Sequence, residues 1–319
     1  MRVVSVGALV VAVGLIAVVY AAYRSDIGEA RERLATGSAI AQTRCGPIEY
    51  KTVGDGPAVL FVHGAGGGFD QGLDFVEPLV KRGLRVVLMS RFGYLRTPLP
   101  ADASAAAQAD AHACLLDALK IERAAVFGAS AGAPSSMQFA LRHPQRCTAL
   151  VLLVPAAYVP RAGGAASLET PPGTQFLFET ALKSDFLFWA AMRFARDTVL
   201  RAVLATPPKV VAQASADEQA RVARLMELIL PVSPRRLGLL NDAAVTSSLP
   251  RYELERIAAP TLALSVADDL FGTYEAARYT AEHIPRARFI GYPSGGHVWV
   301  GHHREVMAEI AAFLGRYAA

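Results

Sequence analysis

Apolar positions along this chain follow three regimes. From Val3 to Tyr23 they run unbroken by charge, bounded by Arg2 and Arg24. A bilayer core of about 30 Å needs about 20 apolar residues in a helix, so this run predicts a membrane-spanning segment. From Pro47 onward the pattern changes to short apolar runs separated by longer amphipathic ones. Buried strands are expected at 58–62 (AVLFV), 84–89, 124–127 (AAVF), 149–154, 261–266 (TLALSV) and 287–292. Helices are expected over 71–82, which stops at Gly83, over 103–120, and over 131–143, which stops before Pro144. Alternation of this kind predicts an α/β fold, with a largely parallel sheet covered by helices on both faces. In the third regime, 160–249, no strand pattern occurs. Helical patterns over 176–204 and 216–230, punctuated by Pro171-Pro172, Pro207-Pro208, Pro231 and Pro234, predict a helical insertion between two strands.

This pattern divides the chain into an anchor (1–23), a linker (24–46) and one α/β domain (47–319). A cleaved signal peptide is the alternative for the first segment, since Val19-Tyr20-Ala21 resembles a small-residue cleavage site. The apolar run is longer than a signal-peptide core, which favours an uncleaved anchor, with secretion after cleavage as the other outcome. Arg2 on one side and Arg24, Arg31 and Arg33 on the other balance too closely to orient the span.

Composition adds little. The 319 residues carry a formal charge of +4 and are 53% hydrophobic. The basic residues are dispersed, which argues against nucleic acid as a partner. Cys45, Cys114 and Cys147 have no metal-site or disulfide-framework spacing, and Cys114 reads as an ordinary core residue. No metal or organic cofactor is expected.

The chemistry lies at the strand ends. Gly128-Ala129-Ser130-Ala131-Gly132 follows one strand directly and opens a helix, a context in which a serine hydroxyl stands above the sheet edge. His63-Gly64-Ala65-Gly66-Gly67-Gly68 follows another strand and can turn backbone N–H groups toward an anion. Oxyanion donors are expected from Ala131 and from Ala65 or Gly66; His63 is expected to brace the loop. Serine needs a base, and of the seven histidines His297, in the turn Ser294-Gly295-Gly296-His297, can best reach over the edge. An acid must orient that imidazole. Asp268 and Asp269 both end the TLALSV strand; Asp268 is the first choice and Asp269 the alternative.

Together these motifs resemble the α/β-hydrolase family, from about Pro47 to the C-terminus. The resemblance implies an eight-stranded sheet, a lid formed by the insertion, a triad of Ser130, Asp268 and His297, and oxyanion donors Ala65 and Ala131. Ser90-Arg91-Phe92-Gly93-Tyr94 departs from the family's usual Asp-x-Arg-Gly-x-Gly turn, so a different loop shape is expected there. The expected activity is hydrolysis of a carboxylic ester or thioester through an acyl-enzyme. Carbon–carbon hydrolysis or cofactor-free perhydrolysis on the same triad, and a non-catalytic binding module, are the competing readings. Phe176, Leu177, Phe178, Phe186, Leu187, Phe188, Trp189 and Phe194 crowd the lid. They either glue it to the core or, with Phe186 and Trp189 foremost, line a pocket for a small apolar acyl substrate.

Overall fold

The computed structural model describes residues 2–160 and 181–318. Eight strands form one sheet in the order β1-β2-β4-β3-β5-β6-β7-β8. They are β1 (Ala39–Thr43), β2 (Gly46–Val53), β3 (Ala58–Val62), β4 (Arg85–Met89), β5 (Ala124–Ala129), β6 (Cys147–Leu153), β7 (Thr261–Val266) and β8 (Ala287–Tyr292). β1, β2 and β4 pair antiparallel, and every pairing from β4 through β3 to β8 is parallel. Helices α1 (Arg2–Ala35), α2 (Leu73–Val80), α3 (Ala105–Ala118) and α4 (Ala133–Arg142) precede the insertion.

The central strands read as continuous apolar runs because both their faces are covered. Successive residues of β3 divide accordingly. Leu60 and Val62 join one buried cluster with α3 and α4, while Val59 and Phe61 join the opposite one. The second cluster also contains α11 (His303–Tyr317) through Val306, Ile310 and Leu314, and α2 through Phe75 and Leu79. Helix α10 (Thr273–His283) lies between β7 and β8 in the chain.

The insertion contributes α5 (Asp185–Phe194), α6 (Arg196–Ala202), α7 (Pro208–Gln213), α8 (Ala216–Glu227) and α9 (Arg236–Thr246). Among its described residues there is no strand, as expected. The helix expected over 176–204 is instead broken at Ala195, which leaves helical geometry at φ −136° and ψ 41°. Phe176, Leu177 and Phe178 lie outside the described residues. These helices form a third buried cluster with Phe188, Trp189, Leu200, Val222 and Met226 at its centre.

Two buried ion pairs fasten this cap to the sheet. Arg235, just before α9, meets Asp70 at 2.7 Å with both side chains fully buried. Arg91 grips Asp242 of α9 with both terminal nitrogens, at 2.7 and 2.6 Å.

The N-terminal third departs from the sequence expectation twice. Residues 24–46, expected as a short helix and a linker, hold more regular structure than that: α1 continues unbroken to Ala35, and β1 begins at Ala39. The cysteines also pair. Cys45, in the β1–β2 turn, forms a disulfide with Cys114 of α3. Their separation of 69 residues hid it, because sequence spacing reveals only local pairings and this one depends on how α3 packs beside β1. Cys147 is free and buried.

Candidate active site

The turn after β5 is tight enough to dictate its glycines. A Cβ at Gly128 would meet the Ser136 hydroxyl, and one at Gly132 would meet the Val62 carbonyl oxygen. Between them Ser130 takes φ +48°, a left-handed conformation that costs a non-glycine residue of order 1–3 kcal/mol. The surrounding contacts hold it there, with the hydroxyl outside the carboxyl end of the strand. Gly64 packs against this serine so closely that a Cβ there would lie 3.1 Å from the Ser130 Cβ.

His297 sits in a short turn after β8, and its Nε2 lies 2.9 Å from Ser130 Oγ. Its Nδ1 lies 2.7 Å from Asp269 Oδ2. The Asp269 side chain is fully buried and also accepts from the Phe271 N–H at 2.9 Å and from the Thr273 hydroxyl. Phe271 stands edge-on to the imidazole, ring centres 4.9 Å apart. With a carboxylate on one nitrogen, the ring presents its other nitrogen to the hydroxyl as an acceptor.

Asp268, the first choice from sequence, does not touch the imidazole. Its Oδ1 accepts the Gly296 N–H at 2.7 Å, so it braces the loop that carries His297. Adjacent residues in the turn after β7 point in different directions, and nothing in the two-residue string Asp268-Asp269 tells which faces the sheet edge.

In the glycine loop the N–H groups are already partly allocated. Gly64 donates to the Gln71 side-chain oxygen at 2.8 Å, and Gly66 donates to the Tyr94 hydroxyl at 3.2 Å. The Gly66 N–H is thus taken by the Tyr94 hydroxyl, while Ala65 lines the cavity beside Ser130. Ala131 opens the turn ahead of α4, where the first N–H groups of a helix have no carbonyl four residues back. His63 is buried and structural, as expected. Its Nδ1 donates to the Gly64 carbonyl at 2.7 Å and its Nε2 accepts from the Arg91 N–H at 3.0 Å. Burial, reinforced by the Arg91 charge, drives its pKa well below the usual imidazole value.

The loop at 90–94 ties the cap to the glycine loop. The Tyr94 hydroxyl donates to Asp242 at 2.5 Å while accepting from Gly66. Burial and then the Asp242 charge push the phenol pKa well above its usual range, which keeps it a donor. The Arg91–Asp242–Tyr94 network thus joins α9 of the cap to the glycine loop.

Above Ser130 lies a cavity of about 130 Å³. Leu182, Val203, Leu225, Ile229 and Leu239 of the cap enclose it from above, and Phe75, Phe271 and Trp299 from the sheet side. His297 is the only titratable side chain among the described lining residues. Phe186 and Trp189, expected as pocket residues, do not line it. Trp189 is buried against α1, and Phe186 lies on the outer side of α5. Aromatic density in the lid marked the outer packing of the cap, whereas aliphatic residues spread over several helices make the wall. Among the described residues no three His, Cys, Asp or Glu side chains gather as a metal site would require.

The parallel sheet, the serine turn after β5 and the histidine loop after β8 define an α/β-hydrolase architecture. Residues 57–300 match the alpha/beta hydrolase fold family, so the chain belongs to that family and is a hydrolase. One curated relative, a 2-hydroxy-6-oxononadienedioate/2-hydroxy-6-oxononatrienedioate hydrolase of Paraburkholderia xenovorans (strain LB400), is 39% identical over 112 residues. That match covers 33% of this chain and 39% of the relative, well under half its length. The uncharacterized hydrolase YcgS of Bacillus subtilis (strain 168) is 25% identical over 80% of this chain and 90% of its own length. Among solved structures, an alpha/beta hydrolase fold protein from Nakamurella multipartita superposes with a TM-score of 0.70 at 29% identity, covering 88% of this chain and 99% of that one.

Proposed function

We propose that this hydrolase cleaves an uncharged carboxylic ester or thioester with an apolar acyl group, using Ser130, His297 and Asp269. The observation that carries the reading is the continuous line of contacts from Asp269 to His297 to Ser130, at 2.7 and 2.9 Å, beneath an apolar cavity. Ser130 Oγ attacks the carbonyl carbon while its proton passes to His297 Nε2. The Ala65 and Ala131 N–H groups stabilise the oxyanion, and Asp269 stabilises the imidazolium. His297 returns the proton to the departing alkoxide or thiolate, leaving an acyl-serine. Water, deprotonated by the same imidazole, then releases the carboxylic acid and restores the serine.

The test is Ser130→Ala. Turnover of short and medium apolar esters should fall by about 10⁴-fold or more with the unfolding temperature nearly unchanged. A fluorophosphonate should label the parent at Ser130 and leave the variant unlabelled. A folded variant with near-parental turnover rejects the assignment.

Carbon–carbon hydrolysis is the second reading, favoured by the dienedioate hydrolase relatives. A dioate carries two carboxylates, and no Arg or Lys is among the described residues lining the cavity. Charge chemistry therefore favours the ester. Cleavage of such a dioate faster than any apolar ester would reverse the order.

The N-terminal helix is taken as an uncleaved anchor. It is long and apolar enough to cross a membrane, and its apolar stretch is almost wholly exposed. The Cys45–Cys114 disulfide supports a position for the α/β domain on the oxidising face of that membrane. Protease added to sealed, right-side-out vesicles should digest the domain; protection would place it on the reducing side.

A further inference from the structure

Helix α1 does not end where its apolar stretch ends. Its polar continuation binds the cap over more than two turns. The Tyr23 ring packs on Phe186 and Trp189, with centres 5.2 and 5.6 Å away. Asp26 accepts from Trp189 Nε1 at 2.7 Å and from Arg193 at 2.5 Å. Ile27 and Ala30 are buried in the cap cluster, and Arg33 donates to the Leu230 carbonyl at 2.7 Å.

This geometry fixes the height of the cap. A helix rises 1.5 Å per residue, so Tyr23 stands only about 5 Å beyond Tyr20. A cap helix touching Tyr23 therefore lies at the depth where an α1 that crosses a bilayer emerges from the hydrocarbon. At that level the outer side of α5 carries large apolar residues facing solvent: Phe186 at 38%, Leu187 at 43% and Phe194 at 72% exposure. Lys183, Arg196 and Arg201 are exposed in the same stretch of chain, together with Asp197, and Arg193 is paired to Asp26. Large aromatic and aliphatic side chains exposed at that depth match the boundary between headgroups and acyl chains. Leu182, four residues ahead of Phe186 in the chain, is already a wall of the cavity above Ser130.

We infer that the Phe186–Leu187–Phe194 face of α5 dips into the bilayer crossed by α1, and that the enzyme takes its ester from that bilayer. The substrate class is then a membrane-dissolved acyl ester. This rests on the ester reading for the substrate and on α1 spanning the membrane for the surface.

The experiment uses the full chain reconstituted in vesicles of phosphatidylcholine and phosphatidylglycerol. An environment-sensitive fluorophore is placed on Phe194→Cys and, for comparison, on Glu122→Cys, which lies at the opposite sheet edge ahead of β5. The label at 194 should be quenched by lipids carrying a shallow nitroxide and shielded from aqueous iodide, with the reverse at 122. Quenching by iodide at both positions overturns the surface. Shielding at 194 without quenching by nitroxide lipid also overturns it, since that outcome marks a protein contact such as a second copy. In the same vesicles, the double variant Leu187→Gln/Phe194→Gln should hydrolyse embedded 4-nitrophenyl palmitate roughly tenfold more slowly, with soluble 4-nitrophenyl butyrate changed by less than about twofold. An unchanged palmitate rate overturns delivery from the bilayer. If the parent cleaves neither ester, the ester reading has failed, and the fluorophore alone decides the surface.

Discussion

The sheet edge and the cap meet at one cavity but are held in place by different physics. At the edge, each side chain of the proposed triad is set by its own turn: Ser130 by a positive φ between two glycines, Asp269 by the turn after β7, His297 by the turn after β8. Those turns are anchored in strands packed on both faces. The cap has no such local determination. Its helices take their place from a third apolar cluster, from the Arg235–Asp70 and Arg91–Asp242 pairs, and from α1. Local turns can therefore be damaged at the cost of chemistry alone, whereas damage to a buried ion pair should show first in stability.

The largest effect separates the two aspartates. Asp269→Asn keeps the shape but removes the charge that fixes the imidazole, and turnover should fall by about 10³–10⁴-fold. Asp268→Asn keeps an acceptor for the Gly296 N–H, so its loss should stay under about tenfold. Neither change should move the unfolding temperature much. Comparable losses from both would mean that the His297 loop, and not the imidazole, is what the carboxylates control.

The cap answers differently. Asp242→Ala leaves Arg91 and Tyr94 buried without their shared acceptor, and should cost about 3–5 kcal/mol in denaturant unfolding. Replacing the pair together, Arg91→Met with Asp242→Leu, should recover most of that loss, because no uncompensated charge remains. Turnover of the double variant reports separately on the glycine loop, which loses the Arg91 contacts to the His63 and Gly64 carbonyls. Full stability with turnover still depressed would show that the network positions the oxyanion donors as well as tying down the cap.

The same division explains what the sequence made legible. The six parallel-sheet strands announce themselves as apolar runs, and Ser130 and His297 as small-residue turns at strand ends. β1 and β2 give no such signal. They pair antiparallel at the sheet's edge, and β2 buries Glu49 beside Ile48, with Ser38, Ser90 and Arg96 supplying the donors. That compensation comes from distant residues, which no local pattern displays. The choice of Asp269, the Cys45–Cys114 pairing and the aliphatic cavity wall all depend on tertiary packing in the same way.

The disulfide offers an intermediate case, far from both cap and catalytic edge. Cys45→Ala with Cys114→Ala frees the β1–β2 turn from α3 and should lower stability by about 2–4 kcal/mol. Turnover measured well below the unfolding temperature should be unchanged. A loss of activity in step with the loss of stability would mean that the antiparallel edge communicates with the site, against the picture of locally determined turns.

The smallest effect comes from a buried imidazole that takes no part in the proposed chemistry. His112 of α3 is fully buried; burial, and after it the Arg91 charge, pushes its pKa down to about 3. The folded protein therefore keeps this ring neutral, while the unfolded chain protonates it near the ordinary imidazole value. Its contribution to stability is present above about pH 6.5 and is progressively lost as the pH falls from there toward about 3. Between about pH 7 and about pH 6 the loss from this one group should be roughly 0.7 kcal/mol. His112→Gln cannot take up that proton and can still meet the Ser135 hydroxyl, so its unfolding free energy should fall less steeply over the same interval. Parallel pH dependences for parent and variant would mean that His112 is as easily protonated folded as unfolded, and that the interior between α3 and α4 admits water.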